Sequence, residues 1–98
     1  MYGLIGKMTA VSGKREELVR TMTDGMTTMP GCRSYIIALD PEDPDAVWIT
    51  EVWDNKESHA ASLALPQVKA TIAVARPLIA GFSHRVETLP VGGHGLSA

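Results

Sequence analysis

The sequence predicts an α+β fold of the ferredoxin-like type, with strands and helical segments in the order β-α-β-β-α-β. Three observations support this prediction. Short runs rich in β-branched and aromatic residues are typical of strands. Apolar residues recur at helical spacing between those runs, and glycine or proline marks most of the boundaries. Such a chain makes one four-stranded antiparallel sheet with both helical segments on one face.

The first half of the chain predicts a strand, a helix and a second strand. Tyr2–Ala10 fits the first strand. A helix is predicted over residues 14–29, because four apolar side chains share one helical face there: Leu18, Met22, Met26 and Met29. Pro30 and Gly31 end that helix, and residues 33–39 form the second predicted strand.

The third strand and the helix after it are the best marked part of the sequence. Ala46–Trp53 follows an acidic, proline-containing turn and contains both tryptophans of the chain. Asp54 is the predicted N-cap of a short helix over residues 55–65. Glu57, three residues later, would complete a capping box.

A second helical segment and a last strand complete the domain. Pro66 suits a first helical position, and residues 67–79 carry apolar side chains on one face. Pro77 should kink or end this helix, and residues 82–89 form the last predicted strand. One domain is therefore expected over residues 1–90. Residues 91–98 are expected to be a flexible tail or an arm laid across a second subunit.

The predicted sheet is apolar on both faces, although the helices can cover only one. Ile36 and Ile37 are adjacent in the second strand, so their side chains point to opposite faces. Trp48 and Trp53 likewise point to opposite faces of the third strand. We therefore expect a homodimer in which a second copy covers the free face about a two-fold axis.

Composition excludes several classes of function. The chain has 98 residues, a net charge of −2 and no basic stripe, which argues against a nucleic-acid partner. Cys32 is the single cysteine, so an internal disulfide is excluded and a metal cluster built on cysteine is not expected. No apolar run suits a signal peptide or a membrane span, so the expected location is the cytoplasm, without a membrane partner.

Four short motifs together resemble the antibiotic biosynthesis monooxygenase domain, from Tyr2 to about residue 89. They are Gly31-Cys32-x-x-Tyr35, Glu51-x-Trp53, Ser58-His59 and Leu65-Pro66-x-Val68-Lys69-Ala70. The resemblance implies a dimeric α/β barrel. The family includes quinol monooxygenases, enzymes that oxidise aromatic polyketides, and haem-degrading enzymes. Its oxygenases typically use no flavin or metal, because the electron-rich substrate is deprotonated and reacts with O2 itself.

The sequence also departs from this family. Ser62 and Gln67 stand where many relatives have histidine, and His59 lies three residues before the first of these places. The haem-degrading branch needs a histidine, a tryptophan and an asparagine at the places of Ile72, Ser62 and Gly6. These departures argue against haem degradation.

His59 and the two tryptophans are the first candidate site residues. An imidazole can take a proton from a phenol or quinol near neutral pH, so His59 is the candidate catalytic base. The alternative is a polar residue near a helix start that faces water. Trp48 and Trp53 are candidate substrate-binding residues that could stack on an aromatic ligand, or they are simply core.

Glu51 and Tyr35 complete the candidate substrate-binding set. Glu51 is a carboxylate on an otherwise apolar strand, so it must be paired, exposed or functional. The structural alternative pairs it with Arg33 or Lys7 on a neighbouring strand. Tyr35 offers a hydroxyl to a ligand or packs with that group at the surface.

Three hypotheses of function follow. The first is a monooxygenase that uses O2 and no cofactor or metal to oxidise a small aromatic, such as a quinol or polycyclic phenol, in a cavity between sheet and helices. The second is a non-catalytic dimer that binds a small apolar ligand in that cavity. The third is a structural dimer whose interior is filled by side chains. A polar-lined cavity that includes His59 would favour the first, and a solid interior with His59 facing solvent would favour the third.

Overall fold

The chain folds as a ferredoxin-like α+β structure in the order β-α-β-β-α-α-β, seen in a computed structural model that describes residues 1–26 and 28–96. The strands are β1 (Tyr2–Ala10), β2 (Cys32–Leu39), β3 (Ala46–Trp53) and β4 (Ile79–Thr88). The helices are α1 (Arg15–Gly25), α2 (Lys56–Ser62) and α3 (Pro66–Ala75), and a 3-10 turn, Arg76–Leu78, joins α3 to β4.

The four strands form one antiparallel sheet in the order β2-β3-β1-β4. In the register, Glu51 of β3 lies opposite Leu4 of β1 on one side and Tyr35 of β2 on the other. These three side chains therefore share one face. The same face carries the main core, which α1 and α3 cover: Ala10, Leu18, Met22, Val47, Ile49 and Ala75.

Most predicted elements are confirmed, and several of their boundaries are wrong. The helix predicted to reach residue 79 ends at Ala75, and the short helix predicted to reach residue 65 ends at Ser62. The first and third strands and the start of α3 agree with the prediction. The last strand begins three residues early, at Ile79, because the 3-10 turn brings the chain directly back to Ala10 of β1. The first helix ends at Gly25 and not at residue 29, and position 27 lies outside the described part of the chain.

Gly25 explains how the end of α1 fits against α3. A Cβ atom at this position would overlap Oγ1 of Thr71 and lie 2.7 Å from its Cγ2. Thr71 is buried, and its hydroxyl donates a hydrogen bond to the carbonyl of Gln67 one turn earlier. The two helices therefore meet at a point where only glycine leaves enough room.

The cap of α2 is Asn55, so the prediction that Asp54 caps this helix is wrong. The Asn55 side chain accepts a hydrogen bond of 2.8 Å from the backbone N–H of Ser58. Asp54 is held elsewhere, because the Arg33 guanidinium donates a hydrogen bond of 2.6 Å to its carboxylate.

The second face of the sheet is not covered by any helix among the described residues. Ile36 and Val86 are 55% and 51% exposed. Trp48 lies on this face, so the prediction that the two tryptophans point in opposite directions is confirmed. Its Nε1 donates a hydrogen bond of 2.9 Å to Asp40. The Glu42 backbone N–H and the Trp48 indole together lower the pKa of Asp40 to about 2.

None of the helices within residues 1–26 and 28–96 combines the length and the apolar character that crossing a membrane requires.

Replacing Gly25 by alanine should destabilise the protein. Alanine for glycine in a helix usually stabilises by up to about 1 kcal/mol. Here the added methyl group overlaps the stiff, buried Thr71 side chain, so we expect a net loss of roughly 1–3 kcal/mol in the free energy of unfolding. Urea unfolding measures it. The control is Gly6→Ala, since a Cβ there meets no atom within 4 Å. A Gly25→Ala variant as stable as the control would refute the close-packing argument.

Candidate functional site

A cavity of about 590 Å³ lies between the helix-facing side of the sheet and the helices. Its wall is largely apolar and methionine-rich, with ionisable side chains at a few places. The apolar part includes Met8, Met22, Met26, Met29, Trp53, Val68, Ile72 and Phe82. Met26 and Met29 contribute although α1 ends before them. Flexible thioether side chains can adapt to a ligand of irregular shape.

His59 points into this cavity from α2. Its Nε2 lies 3.8 Å from Oε1 of Glu51, and its side chain is 17% exposed. The imidazole packs against two aromatic rings: the ring centroid of Tyr2 is 5.7 Å away, and that of Trp53 is 5.4 Å away in an edge-on contact. The alternative that His59 is a surface residue facing water does not describe this geometry.

Glu51 is the buried acid of the site. Its side chain is 11% exposed, and the Trp53 indole N–H donates to its Oε1 a hydrogen bond of 3.0 Å. Burial raises the pKa of Glu51, while the Trp53 hydrogen bond and the nearby His59 and Arg85 act in the opposite direction. The carboxylate is thus held away from water with one neutral donor and two basic side chains near it.

The structural alternative for Glu51 is wrong. Lys7 pairs with Asp40 at 3.7 Å, and Arg33 pairs with Asp54 at 2.6 Å. Lys7 lies opposite Trp48 in the register and so belongs to the uncovered face of the sheet. Arg33 stands at an irregularity between Cys32 and Ser34, where the register of β2 shifts.

Tyr35 also lines the cavity, across the strand pair from Glu51. Burial raises the pKa of Tyr35 well above its usual value, and the charges of Glu51 and Cys32 add to this effect. The phenol therefore keeps its proton at neutral pH. It can donate a hydrogen bond to a ligand, but it cannot act as a base.

Trp48 is the predicted substrate-binding residue that lies outside this cavity. The pleat of β3 directs it to the uncovered face, where it contacts Asp40, Lys7 and His84. The other four predicted residues are brought together around one cavity: Tyr35, Glu51, Trp53 and His59. Their functional roles remain predictions.

Two residues of the site were not found by the sequence reasoning. Tyr2 lies opposite Trp53 in the register and contacts His59. Pairing the predicted first strand antiparallel with the third strand, which carries both tryptophans, would have placed Tyr2 there. Arg76 borders the cavity from the 3-10 turn after α3. No sequence signal marked it, because that turn was predicted as helix.

No group of three His, Cys, Asp or Glu side chains that could hold a metal ion occurs in the part of the chain described here.

Comparison with known proteins agrees with the fold. The model of the antibiotic biosynthesis monooxygenase family matches residues 1–74. A solved structure from Chloroflexus aurantiacus J-10-fl, which carries that family name as a provisional assignment, is 58% identical, with 98% of each chain covered and a TM-score of 0.95.

More distant structures share the fold. One from Nitrosomonas europaea is 16% identical with a TM-score of 0.81, covering 94% of this chain and 100% of its own. One from Deinococcus radiodurans is 22% identical with a TM-score of 0.77 over 100% of both chains. No curated protein matches the chain.

Replacing Trp53 by phenylalanine should raise the pKa of Glu51. The indole N–H is a hydrogen-bond donor that favours the ionised carboxylate, and phenylalanine keeps an aromatic ring without it. Carboxyl-selective NMR titration measures the change. Trp48→Phe is the matched control, because its indole N–H serves Asp40 on the other face. That variant should raise the pKa of Asp40 and leave Glu51 unchanged, and the reverse pattern would contradict the assigned pairs.

Proposed function

The chain belongs to the antibiotic biosynthesis monooxygenase family, and we propose that it oxidises a small aromatic with O2, taking a quinol or polycyclic phenol as substrate and His59 as base. One observation carries the proposal: a partly buried imidazole lies 3.8 Å from a buried carboxylate at the wall of an apolar cavity of about 590 Å³. Base, counter-charge and space for a ring therefore occur together.

The chemistry begins with removal of the hydroxyl proton of the substrate. His59 accepts this proton and becomes an imidazolium, which the neighbouring Glu51 carboxylate stabilises. The Trp53 hydrogen bond keeps Glu51 oriented and favours its charged form. Glu51 thus acts as a positioning residue in this proposal.

The resulting phenolate is electron-rich enough to reduce O2 directly. For a phenol or quinol with a hydrogen on an ortho or para carbon, that carbon forms a bond to oxygen and gives a peroxide, which the His59 imidazolium protonates. The O–O bond then breaks as the hydrogen on that carbon leaves as a proton. The products are a quinone and water, so one oxygen atom enters the substrate and the other leaves as water. All electrons come from the substrate, and no added reductant is needed.

The rest of the cavity suits an aromatic ligand. The Trp53 and Phe82 rings and the methionine side chains offer apolar contact, and the Tyr35 hydroxyl can donate to a substrate oxygen. A non-catalytic ligand-binding dimer would use the same cavity. A purely structural role is favoured less, because the interior is open and His59 lies within its wall.

The proposal extends to a homodimer. The uncovered sheet face exposes Ile36 and Val86 by more than half, and Trp48 lies between the strands that carry them. A second copy packed face to face would remove these apolar side chains from water.

Oxygen uptake by the purified protein without added cofactor tests the activity. We expect uptake with naphthols or hydroquinones above their autoxidation, and a loss of at least about a hundredfold in His59→Gln, since general base catalysis contributes about that much or more. His94→Gln is the control, because His94 is exposed and outside the cavity. Glu51→Gln should also lose activity. Full uptake in His59→Gln would place the base elsewhere, and no uptake with any substrate would favour the ligand-binding alternative.

Light scattering tests the dimer. The protein should have the mass of two chains at micromolar concentration, and Ile36→Arg should shift it to one, because a buried unpaired charge on the covered face is costly. Val74→Arg is the matched control, since Val74 is 59% exposed on α3 at the opposite side of the domain. A monomeric wild-type protein would refute the inferred interface.

A further inference from the structure

The cavity has two chemically different ends. His59 and Glu51 lie at the end where Tyr2 pairs with Trp53. The other end is bordered by the start of β4, from Ile79 to Phe82, and by Arg76 in the 3-10 turn. The distance between the ends follows from the register. Glu51 lies opposite Leu4, whereas Phe82 lies opposite Met8, four residues further along β1. At about 3.3 Å per residue the two levels are roughly 13 Å apart.

Arg76 is the one permanent cation among the described residues that border this cavity. It is exposed to solvent, which places it at the mouth, and no described side chain forms an ion pair or hydrogen bond with it. Arg85, the other arginine near the site, is already engaged: it interacts with Tyr2, Glu51 and Glu87. An anionic ligand group would therefore meet Arg76 without displacing an existing partner.

The charge arrangement also favours one orientation of such a ligand. A carboxylate placed near His59 would lie beside the Glu51 carboxylate, in a buried environment that already disfavours negative charge. At the Arg76 end the lining is apolar apart from the guanidinium. A planar, bidentate donor at that place is suited to a carboxylate or sulfonate.

We propose that the substrate is an elongated aromatic with a phenolic hydroxyl at one end and an anionic group at the other, and that Arg76 binds the anionic group. This inference rests on the proposed function, because that function places the phenolic hydroxyl of the substrate at His59. It deepens that function because Arg76 becomes a specificity-determining residue that selects acidic phenols over neutral ones. Arg76 lies at the C-terminal end of α3, where its charge also interacts favourably with the helix dipole. Replacing it can therefore change stability as well, so the test measures which ligand is bound and not the stability of the protein.

Calorimetric binding of three probes without oxygen tests the inference. The probes are 2-naphthol, 6-hydroxy-2-naphthoate, which separates its hydroxyl and carboxylate across both rings, and 3-hydroxy-2-naphthoate, which places them side by side. We expect the 6-hydroxy isomer to bind about tenfold more tightly than 2-naphthol, as charge-assisted hydrogen bonds allow. The 3-hydroxy isomer should gain nothing over 2-naphthol.

Variants identify the residue responsible. Arg76→Gln should remove the preference for the 6-hydroxy isomer and leave 2-naphthol binding unchanged, and Arg76→Lys should restore part of it. Lys69→Gln is the control, since Lys69 is an exposed cation on α3 that does not border the cavity. A preference that survives Arg76→Gln, equal binding of the two isomers, or no binding of any probe would overturn the inference.

Oxygen uptake run in parallel separates this inference from the proposed function. Selective, Arg76-dependent binding without uptake would leave the binding inference standing and refute the oxygenase. Uptake that treats neutral and acidic phenols alike, and is the same in Arg76→Gln, would keep the oxygenase and refute the role of Arg76.

Discussion

The buried carboxylate of Glu51 is the constraint on which the site depends. β3 is a strand whose helix-facing positions are otherwise apolar, and an unpaired charge in such a place is costly. Three groups reduce that cost: the Trp53 indole hydrogen bond, the imidazole of His59 and the charge of Arg85. Each comes from a different element or strand position, so β3, α2 and β4 together lower the cost of ionising Glu51 within the folded protein. The fold and the charge state of the site are therefore coupled.

Because of this coupling, the stability of the fold depends on pH through the ionisation of Glu51. Burial raises the pKa of Glu51 in the folded protein above its unfolded value, so the folded state holds this proton more firmly. The contribution of Glu51 to stability is therefore full below the unfolded pKa and is lost as pH rises through the folded pKa. At neutral pH the ionised carboxylate lowers the free energy of unfolding. Glu51 thus costs stability at neutral pH where it lies beside the His59 imidazole, a position for which the proposed function gives a reason.

The sequence was sufficient for the architecture because the signals there are local. The apolar character of Tyr2–Ala10, the β-branched and aromatic residues of Ala46–Trp53 and the proline at the start of α3 are each signals carried by a few neighbouring residues. The close contact of α1 with α3 was not accessible in this way, because it is made between Gly25 and Thr71, which are far apart in the chain. The partner of Glu51 was missed for a similar reason. Lys7 and Arg33 were plausible by strand adjacency, but the pleat and the irregularity in β2 turn them toward other carboxylates.

The two tryptophans of β3 lie on opposite faces of the sheet and therefore have different surroundings. Trp53 and Trp48 each donate an indole hydrogen bond to a carboxylate, Glu51 and Asp40 respectively. Around Asp40, backbone N–H groups lower the pKa and the acid stays ionised, which is the pattern of a structural turn. Around Glu51, burial opposes ionisation and a base lies within ion-pair distance. The same indole–carboxylate pair thus accompanies a lowered carboxyl pKa on one face and a raised one on the other, because backbone N–H groups surround Asp40 whereas burial dominates at Glu51.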